Sequence, residues 1–208
     1  DKVRFLSSDS GKGSAILKGF EYCWELANGV SYDAIITLDA DGETLVEDGL
    51  RVLRNAYDRA SDKKRFFGKG NRFHARNGFS SDSNISAINI LAHYLVEKKL
   101  GKRIYDDPRS GHMALSSDLI DEVVFRRNED SFFIVSKGYG IDVELSCLAY
   151  MLGCPVYQTD VWFERKRERY QNGFIPSEDL TEYRKFFGDN LVDSALEELN
   201  FKNIPLLK

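Results

Sequence analysis

The chain reads as an α/β protein with a largely parallel sheet. Three observations carry this expectation. Short apolar runs alternate with segments of helical period along most of the 208 residues. The run Ala34-Ile-Ile-Thr-Leu38 lacks the apolar–polar alternation of a half-solvated strand, so it suits a strand covered on both faces. Four prolines and no low-complexity stretch leave nothing that marks an internal linker or a repeat.

The elements follow in order. Residues 3–6 read as a short strand, 7–13 as a turn and 14–26 as an amphipathic helix. Residues 34–38 are the fully buried strand. A helix over 46–60 sets Leu50, Leu53 and Tyr57 at helical spacing, the expected core stripe. Residues 65–68 form a strand that enters a polar loop over 69–82. Ser83 can cap a helix reaching Lys99, with Ile85, Ile88, Ala92 and Leu95 in one stripe. The turn at Asp106-Asp107-Pro108 leads to an extended stretch over 111–115 and a short helix from Ser117. A helix over 140–152 carries Ile141, Leu145, Leu148 and Leu152 and ends at Gly153. Residues 156–163 form the next strand, and Pro176 opens a final helical region.

Composition narrows the function classes. A 42% hydrophobic, 12% aromatic chain of this length can bury the core of one domain. A net charge of −4 disfavours a nucleic-acid binder, which needs a basic face. Cys23, Cys147 and Cys154 are odd in number and lack zinc-type spacing, so they read as small hydrophobes of a reducing compartment. No run approaches the 18 or so apolar residues of a membrane span. The expectation is a cytoplasmic segment.

Asp39-Ala40-Asp41, followed by Gly42-Glu43, ends the apolar run 34–38. Ionised Asp disfavours strands and is seldom buried. Carboxylates at a strand's carboxyl end project into the crevice where open α/β sheets bind ligands. Such oxygen ligands suit Mg²⁺ or Mn²⁺, which can hold a diphosphate. The competing reading is a strand-to-helix turn with Asp41 as a cap. Upstream, Ser10-Gly11-Lys12-Gly13-Ser14 is a glycine-rich turn before a helix, where Lys12 and backbone N–H groups would welcome an anion. It lacks P-loop spacing, and an ordinary loop with a solvated lysine remains open.

Taken together, the run GKGSAILKGF and the run YDAIITLDADGE resemble family 2 glycosyltransferases, closest to the dolichyl- or polyprenyl-phosphate sugar transferases. The resemblance continues through Gly68 to Arg72, Asp107-Pro-Arg-Ser-Gly111, Tyr139-Gly-Ile-Asp-Val-Glu144 and Gly153-Cys-Pro-Val156. It extends to Phe163 with the basic run Arg165-Lys166-Arg167. It implies a GT-A three-layer sandwich and a metal-dependent, inverting transfer of sugar from a nucleotide-diphospho-sugar donor. The acceptor would be a polyprenyl (lipid) phosphate or a glycan hydroxyl. A lipid acceptor would bring the chain to the cytoplasmic face of a membrane.

On that resemblance Asp39, Asp41 and Glu43 would hold Mg²⁺ or Mn²⁺. Lys12, Arg72, Arg165, Lys166 and Arg167 would join Asp39 and Asp41 around the donor diphosphate. A lipid phosphate needs no general base. A hydroxyl acceptor does, and Asp107, Glu144 and Asp142 are the candidates, the last two falling at opposite margins of their helix's apolar stripe. Of the histidines, His93 reads as structural and His112 lies in the acceptor motif.

Two departures from the family stand out. The D-x-x-S-G motif continues with His112-Met113 where the family has Phe-Arg, so an arginine that would meet phosphate is missing. The family's first two strands, with their Pro-x-Tyr-Asn and Asp-Asp-Gly-Ser motifs, are also absent; they would lie between the strands at 3–6 and 34–38. The expected organisation is therefore a catalytic domain over 1–170, incomplete at its N-terminus, with a helical extension over 171–208. A missing N-terminal segment of the same protein would complete it. Two alternatives remain. One is a non-catalytic glycosyltransferase-like binding module. The other is a sugar nucleotidyltransferase, whose glycine-rich signature belongs nearer the amino terminus.

Overall fold

The computed structural model describes residues 11–27, 32–39, 44–73, 87–126, 134–163, 175–201 and 206–207. The expected strand at 3–6, Asp41, Glu43 and the basic run at 165–167 lie outside them. The described elements are α1 (Gly11–Ala27), β1 (Ala34–Thr37), α2 (Val46–Arg59), β2 (Phe67–Asn71), α3 (Ala87–Leu100), β3 (Met113–Ser116) and α4 (Ser117–Arg126). After these come α5 (Ile141–Met151), β4 (Val156–Asp160), β5 (Ile175–Pro176), α6 (Ser177–Phe187), α7 (Asp189–Glu198) and β6 (Leu206–Leu207).

Four strands form the main sheet in the order β1-β3-β2-β4. The strand β3 runs antiparallel to both β1 and β2, and β2 runs parallel to β4. Hence β1, β2 and β4 share one direction and a reversed β3 is inserted among them, the mixed α/β architecture expected. β5 and β6 pair separately, in parallel.

Alternation along the strands divides the core. Phe67, Met113 and Leu115 face one side, where they pack with Phe20 of α1, Leu119 and Ile120 of α4, and Ile141 and Leu145 of α5. Ala114 faces the other side, against Val52 of α2. This is the period-2 division that a sheet between two helical layers requires. A further cluster joins α3, α5, α6 and α7 through Leu91, Leu95, Val143, Cys147, Tyr183 and Val192. Of the expected stripe on α3, Ile88, Ala92 and Leu95 are fully buried, while Ile85 and the expected cap Ser83 lie outside the described residues.

Two expectations are overturned by packing. The residues of β1 are only half-buried, because β1 pairs with β3 alone among the described residues. On α2 the stripe Leu50, Leu53 and Tyr57 is not the core face: Leu50 is 61% exposed and Tyr57 47%. The buried face is Asp48, Gly49, Val52 and Ala56. Small residues let the helix sit close to the sheet. A Cβ placed on Gly49 would lie 2.9 Å from Ile36 Cγ2, and one on Gly68 would lie 2.9 Å from the Val52 carbonyl oxygen. Hydropathy spacing selected the longer side chains, and backbone proximity selected the shorter ones.

The close approach at Gly68 has a measurable consequence. In Gly68→Ala the new methyl meets Val52 Cγ1 and its carbonyl oxygen at 2.9 Å, and backbone cannot rotate away as a side chain can. Urea unfolding is expected to show a loss of about 1–3 kcal/mol. Adding Val52→Ala should not restore it, because the carbonyl remains.

Candidate active site

The site gathers above the carboxyl end of β1, from segments far apart in sequence. Asp39 follows β1 by two residues. Its carboxylate lies over Gly111, where a Cβ would come within 2.2 Å of Asp39 Oδ2. Thr37 Oγ1 donates to the Gly111 carbonyl at 3.0 Å, fixing that approach. Lys12 Nζ bridges Asp39 Oδ1 at 2.8 Å and Asp142 Oδ2 at 2.7 Å. Asp39 and Lys12 retain some exposure, whereas Asp142 is fully buried.

Lys12 does not belong to a turn. Gly11 already has a positive φ of 72° and opens α1, so the glycine-rich run is the first turn of the helix. Its glycines serve close packing. A Cβ on Gly13 would lie 2.4 Å from the Ser136 carbonyl oxygen, and Ser14 N–H donates to the Lys137 carbonyl at 3.2 Å. The helix start is thereby pressed against the segment leading into α5, which brings Lys12 to Asp142.

Arg72 grips Asp107 with a two-pronged contact: Nε to Oδ2 at 2.7 Å and Nη2 to Oδ1 at 2.9 Å. The Arg72 backbone N–H adds a third bond, to Oδ2 at 3.1 Å. Burial alone would raise the Asp107 pKa, but Arg72 outweighs it and holds the carboxyl below its ordinary value. Glu144 is saturated differently, accepting Val135 N–H at 2.8 Å and Ser136 N–H at 2.9 Å. The three candidate bases are therefore unequal. Asp107 and Glu144 have both oxygens occupied, whereas the buried Oδ1 of Asp142 has no hydrogen-bond partner among the described residues.

Asp142 and Glu144 were expected at the margins of a stripe, yet α5 is buried without interruption from Ile141 to Ala149. Lying between the sheet cluster and the α3–α6–α7 cluster, it has no solvent border over that stretch. Burial raises the Asp142 pKa, outweighing the opposing pull of Lys12 and Lys69. Asp39 moves the other way: burial would raise it, but Lys12 brings it below its ordinary value.

Lys69, assigned from sequence to a polar loop, sits within β2 and is fully buried. Its ammonium donates to the Ser110 carbonyl at 3.2 Å and the Asp142 carbonyl at 3.1 Å, and lies 5.4 Å from the Tyr105 ring centre. The described residues place no carboxylate within ion-pair distance of it. Burial lowers its pKa to about 8, against the opposing fields of Asp142 and Asp107. The only sequence sign was a lysine between two glycines, which reads as a loop.

Glu182, Asp179 and Asp48 were not singled out by sequence. Glu182 of α6 accepts the N–H groups of Lys137, Gly138 and Gly140, the last at 2.7 Å, and so holds the segment that precedes α5. Arg109 pairs with Asp179 at 2.8 Å. Asp48, fully buried at the start of α2, accepts Trp162 N–H at 2.6 Å. His112 is buried with a ring nitrogen 3.4 Å from the Leu45 carbonyl, and burial lowers its pKa. His93 contacts the Asp106 carbonyl, consistent with a structural role.

As to metal, no group of three or more His, Cys, Asp or Glu side chains able to hold an ion occurs among the described residues. Asp39 is the described member of the expected ligand set, and Lys12 already neutralises it. Its carboxylate is an oxygen donor of the hard type that a divalent cation takes. The same described residues contain no helix long and apolar enough to cross a membrane.

No family model matches the sequence, and no curated protein matches it. Among solved structures the chain is similar to glucosyl-3-phosphoglycerate synthase from Mycobacterium tuberculosis in complex with uridine diphosphate. The TM-score is 0.48 and the identity 18%, covering 96% of this chain and 58% of that one. The chain thus spans less than two-thirds of that relative. Residue roles in the present site rest on its own geometry.

Lys69 makes the stability depend on pH in a defined direction. Its folded pKa of about 8 lies below the unfolded value of about 10.4, so between them the unfolded chain binds more protons. Stability contributed by this group therefore rises with pH through that window. Between pH 8 and 9.5 the wild-type chain should gain on the order of 1–2 kcal/mol relative to Lys69→Met, measured by urea unfolding at each pH.

Proposed function

We propose that the chain carries the diphosphate- and acceptor-binding part of a metal-dependent, inverting glycosyltransferase using a nucleotide-diphospho-sugar donor. The observation that supports this most is the placement of Asp39. Its carboxylate stands at the carboxyl end of β1, partly exposed, against a glycine whose missing side chain makes room for it, with a mobile-length cation beside it. Folding alone gains little from such a group.

In this reading Asp39, Asp41 and Glu43 would hold Mg²⁺ or Mn²⁺, which when bound neutralises the leaving diphosphate. Lys12 adds a positive charge at the same place and can turn from Asp39 to a phosphate oxygen. Arg165, Lys166 and Arg167 are proposed for the outer phosphate oxygens, and Arg72 acts through its hold on Asp107. Inversion needs one displacement, with the acceptor approaching opposite the leaving diphosphate. The acceptor is a polyprenyl phosphate or a glycan hydroxyl. For a hydroxyl, Asp142 is the carboxylate with an oxygen open to receive the proton.

A second reading, a glycosyltransferase-like module that only binds, draws on the Lys12 bridge. Asp39 and Asp142 are already neutralised by the chain itself, as in a structural charge network. Calorimetric titration of Mn²⁺ with uridine or guanosine diphosphate separates the two. The enzyme reading expects metal-dependent nucleotide binding that Asp39→Ala and Asp41→Ala each abolish. A folded chain that binds neither nucleotide with Mn²⁺ would favour the module.

Gly111→Ala supplies an independent check. Its new Cβ displaces the flexible Asp39 carboxylate rather than backbone. The expected outcome is a thermal midpoint within a few degrees of wild type and a Mn²⁺–nucleotide affinity reduced at least tenfold. Unchanged affinity would remove Asp39 from the donor site.

A further inference from the structure

We infer that two copies of this chain associate by packing α2 against α2 across a two-fold axis, antiparallel, with Val46, Leu50, Leu53 and Tyr57 as the seam. The contact is independent of the donor reading above.

The apolar stripe that sequence spacing selects on α2 has no core to serve. Val46 is 70% exposed, Leu50 61% and Tyr57 47%, while Leu53 is half-buried. The four residues follow at spacings of four, three and four, so they share about 60° of the helix surface. Leu38 and Leu45 are also exposed and border them, Leu38 lying against α2 at Gly49. Five of the eight exposed large hydrophobic side chains among the described residues therefore gather at one helix. Scattered apolar side chains need no cause, but a contiguous patch marks an interaction surface.

The charges beside the stripe choose its occupant. On one flank Gly49 and Ala56 are buried against the sheet. On the other stand Glu47 and Arg54, both exposed. Neither makes a hydrogen bond or ion pair among the described residues. Their neighbours are committed within the chain: Arg51 to Asp48 and the Asp160 carbonyl, and Arg59 over the Tyr157 ring.

Along the helix axis Glu47 falls between Val46 and Leu50, and Arg54 falls between Leu53 and Tyr57. Turning a second α2 end for end sets Val46 opposite Tyr57 of the second copy and Leu50 opposite its Leu53. That register brings Glu47 level with Arg54 of the second copy, and the two-fold axis repeats the pair. A parallel arrangement would instead set Glu47 level with Glu47 and Arg54 level with Arg54, which like charges disfavour. A surface complementary to itself under one operation points to a second copy of the chain. The helix is also fixed for the purpose. Asp48 accepts Trp162 N–H at 2.6 Å and Asn55 donates to the Gln158 carbonyl at 2.8 Å, so little order is lost on association. A seam along a helix about 20 Å long is at the small end of stable interfaces, so dilution should dissociate the dimer.

Sedimentation equilibrium of the full 208-residue chain across the micromolar range is the test. The wild-type mass is expected to rise with concentration from that of one chain to that of two. Leu50→Arg should weaken association at least about tenfold, because it sets a charge in the seam. Arg54→Glu and Glu47→Arg, each alone, should weaken it about tenfold by bringing like charges level. Mixed in equal amounts, these two variants should associate again, since every flanking contact between them joins Glu to Arg. Misfolding of either variant would not be mended by mixing, and circular dichroism checks each fold directly.

A monomer at every concentration overturns the inference; it is also the result expected if a further segment of a longer protein covers the seam. A dimer that Leu50→Arg leaves intact overturns it too, because the interface then lies elsewhere. Charge variants that weaken association yet fail to recombine overturn the antiparallel register and the inference with it.

Discussion

The bridge from Lys12 to Asp39 and Asp142 is the contact on which the rest of the site depends. It joins the first turn of α1, the segment beyond β1 and the first turn of α5. Carboxylates removed from water over the sheet's end would be costly alone. Burial lowers the affinity of Lys12 for its proton, yet Asp142 and then Asp39 more than reverse this, so its pKa is raised. The glycines of α1 follow from the same requirement. Without them the Ser136 and Lys137 carbonyls would hold the helix too far away for Lys12 to reach both partners.

Around that bridge, carboxylates are used in two different ways. Glu144 and Glu182 act on backbone, taking N–H groups of Val135, Ser136, Lys137, Gly138 and Gly140. They give an irregular segment the saturated hydrogen bonding that a helix or strand would otherwise supply. Asp107 acts on a side chain, locked in the fork of Arg72, whose planar geometry matches both oxygens. All three are satisfied. Asp142 differs because its neighbours hold its carbonyl and one carboxylate oxygen and leave the other open. Rigid partners surrounding one open atom are the usual form of a preorganised site.

Much of the fold was legible in the sequence, and the misreadings share a cause. Helices on either side of a sheet were legible because their apolar periods are strong: the stripe on α3 and the boundaries of α2 came close to those observed. The face of α2 was misread, since glycine and alanine bury well where backbones approach, and hydropathy ranks them below Leu50 and Tyr57. Asp39, Lys12 and Asp142 were legible through residue type and order. Their joining was not, because Lys12 and Asp142 stand 130 residues apart. Lys69 was illegible for a physical reason. A lysine between glycines has the local signature of a loop, whereas pairing with Met113 and Gln158 makes it a strand residue and the carbonyls of Ser110 and Asp142 receive its buried ammonium.

Lys69 also explains how the site holds its charges apart. Lys12 and Arg72 each bind a carboxylate directly, and a third cation on the same carboxylates would gain little. Set against carbonyl oxygens instead, Lys69 keeps its field directed at Asp142 and Asp107 without covering either. After Lys12, its charge opposes the rise that burial imposes on the Asp142 pKa. Its two hydrogen bonds also bind the Ser110 loop to α5, so the group that tunes Asp142 is the group that positions it. A neutral residue of the same length would fill the space and lose both functions at once.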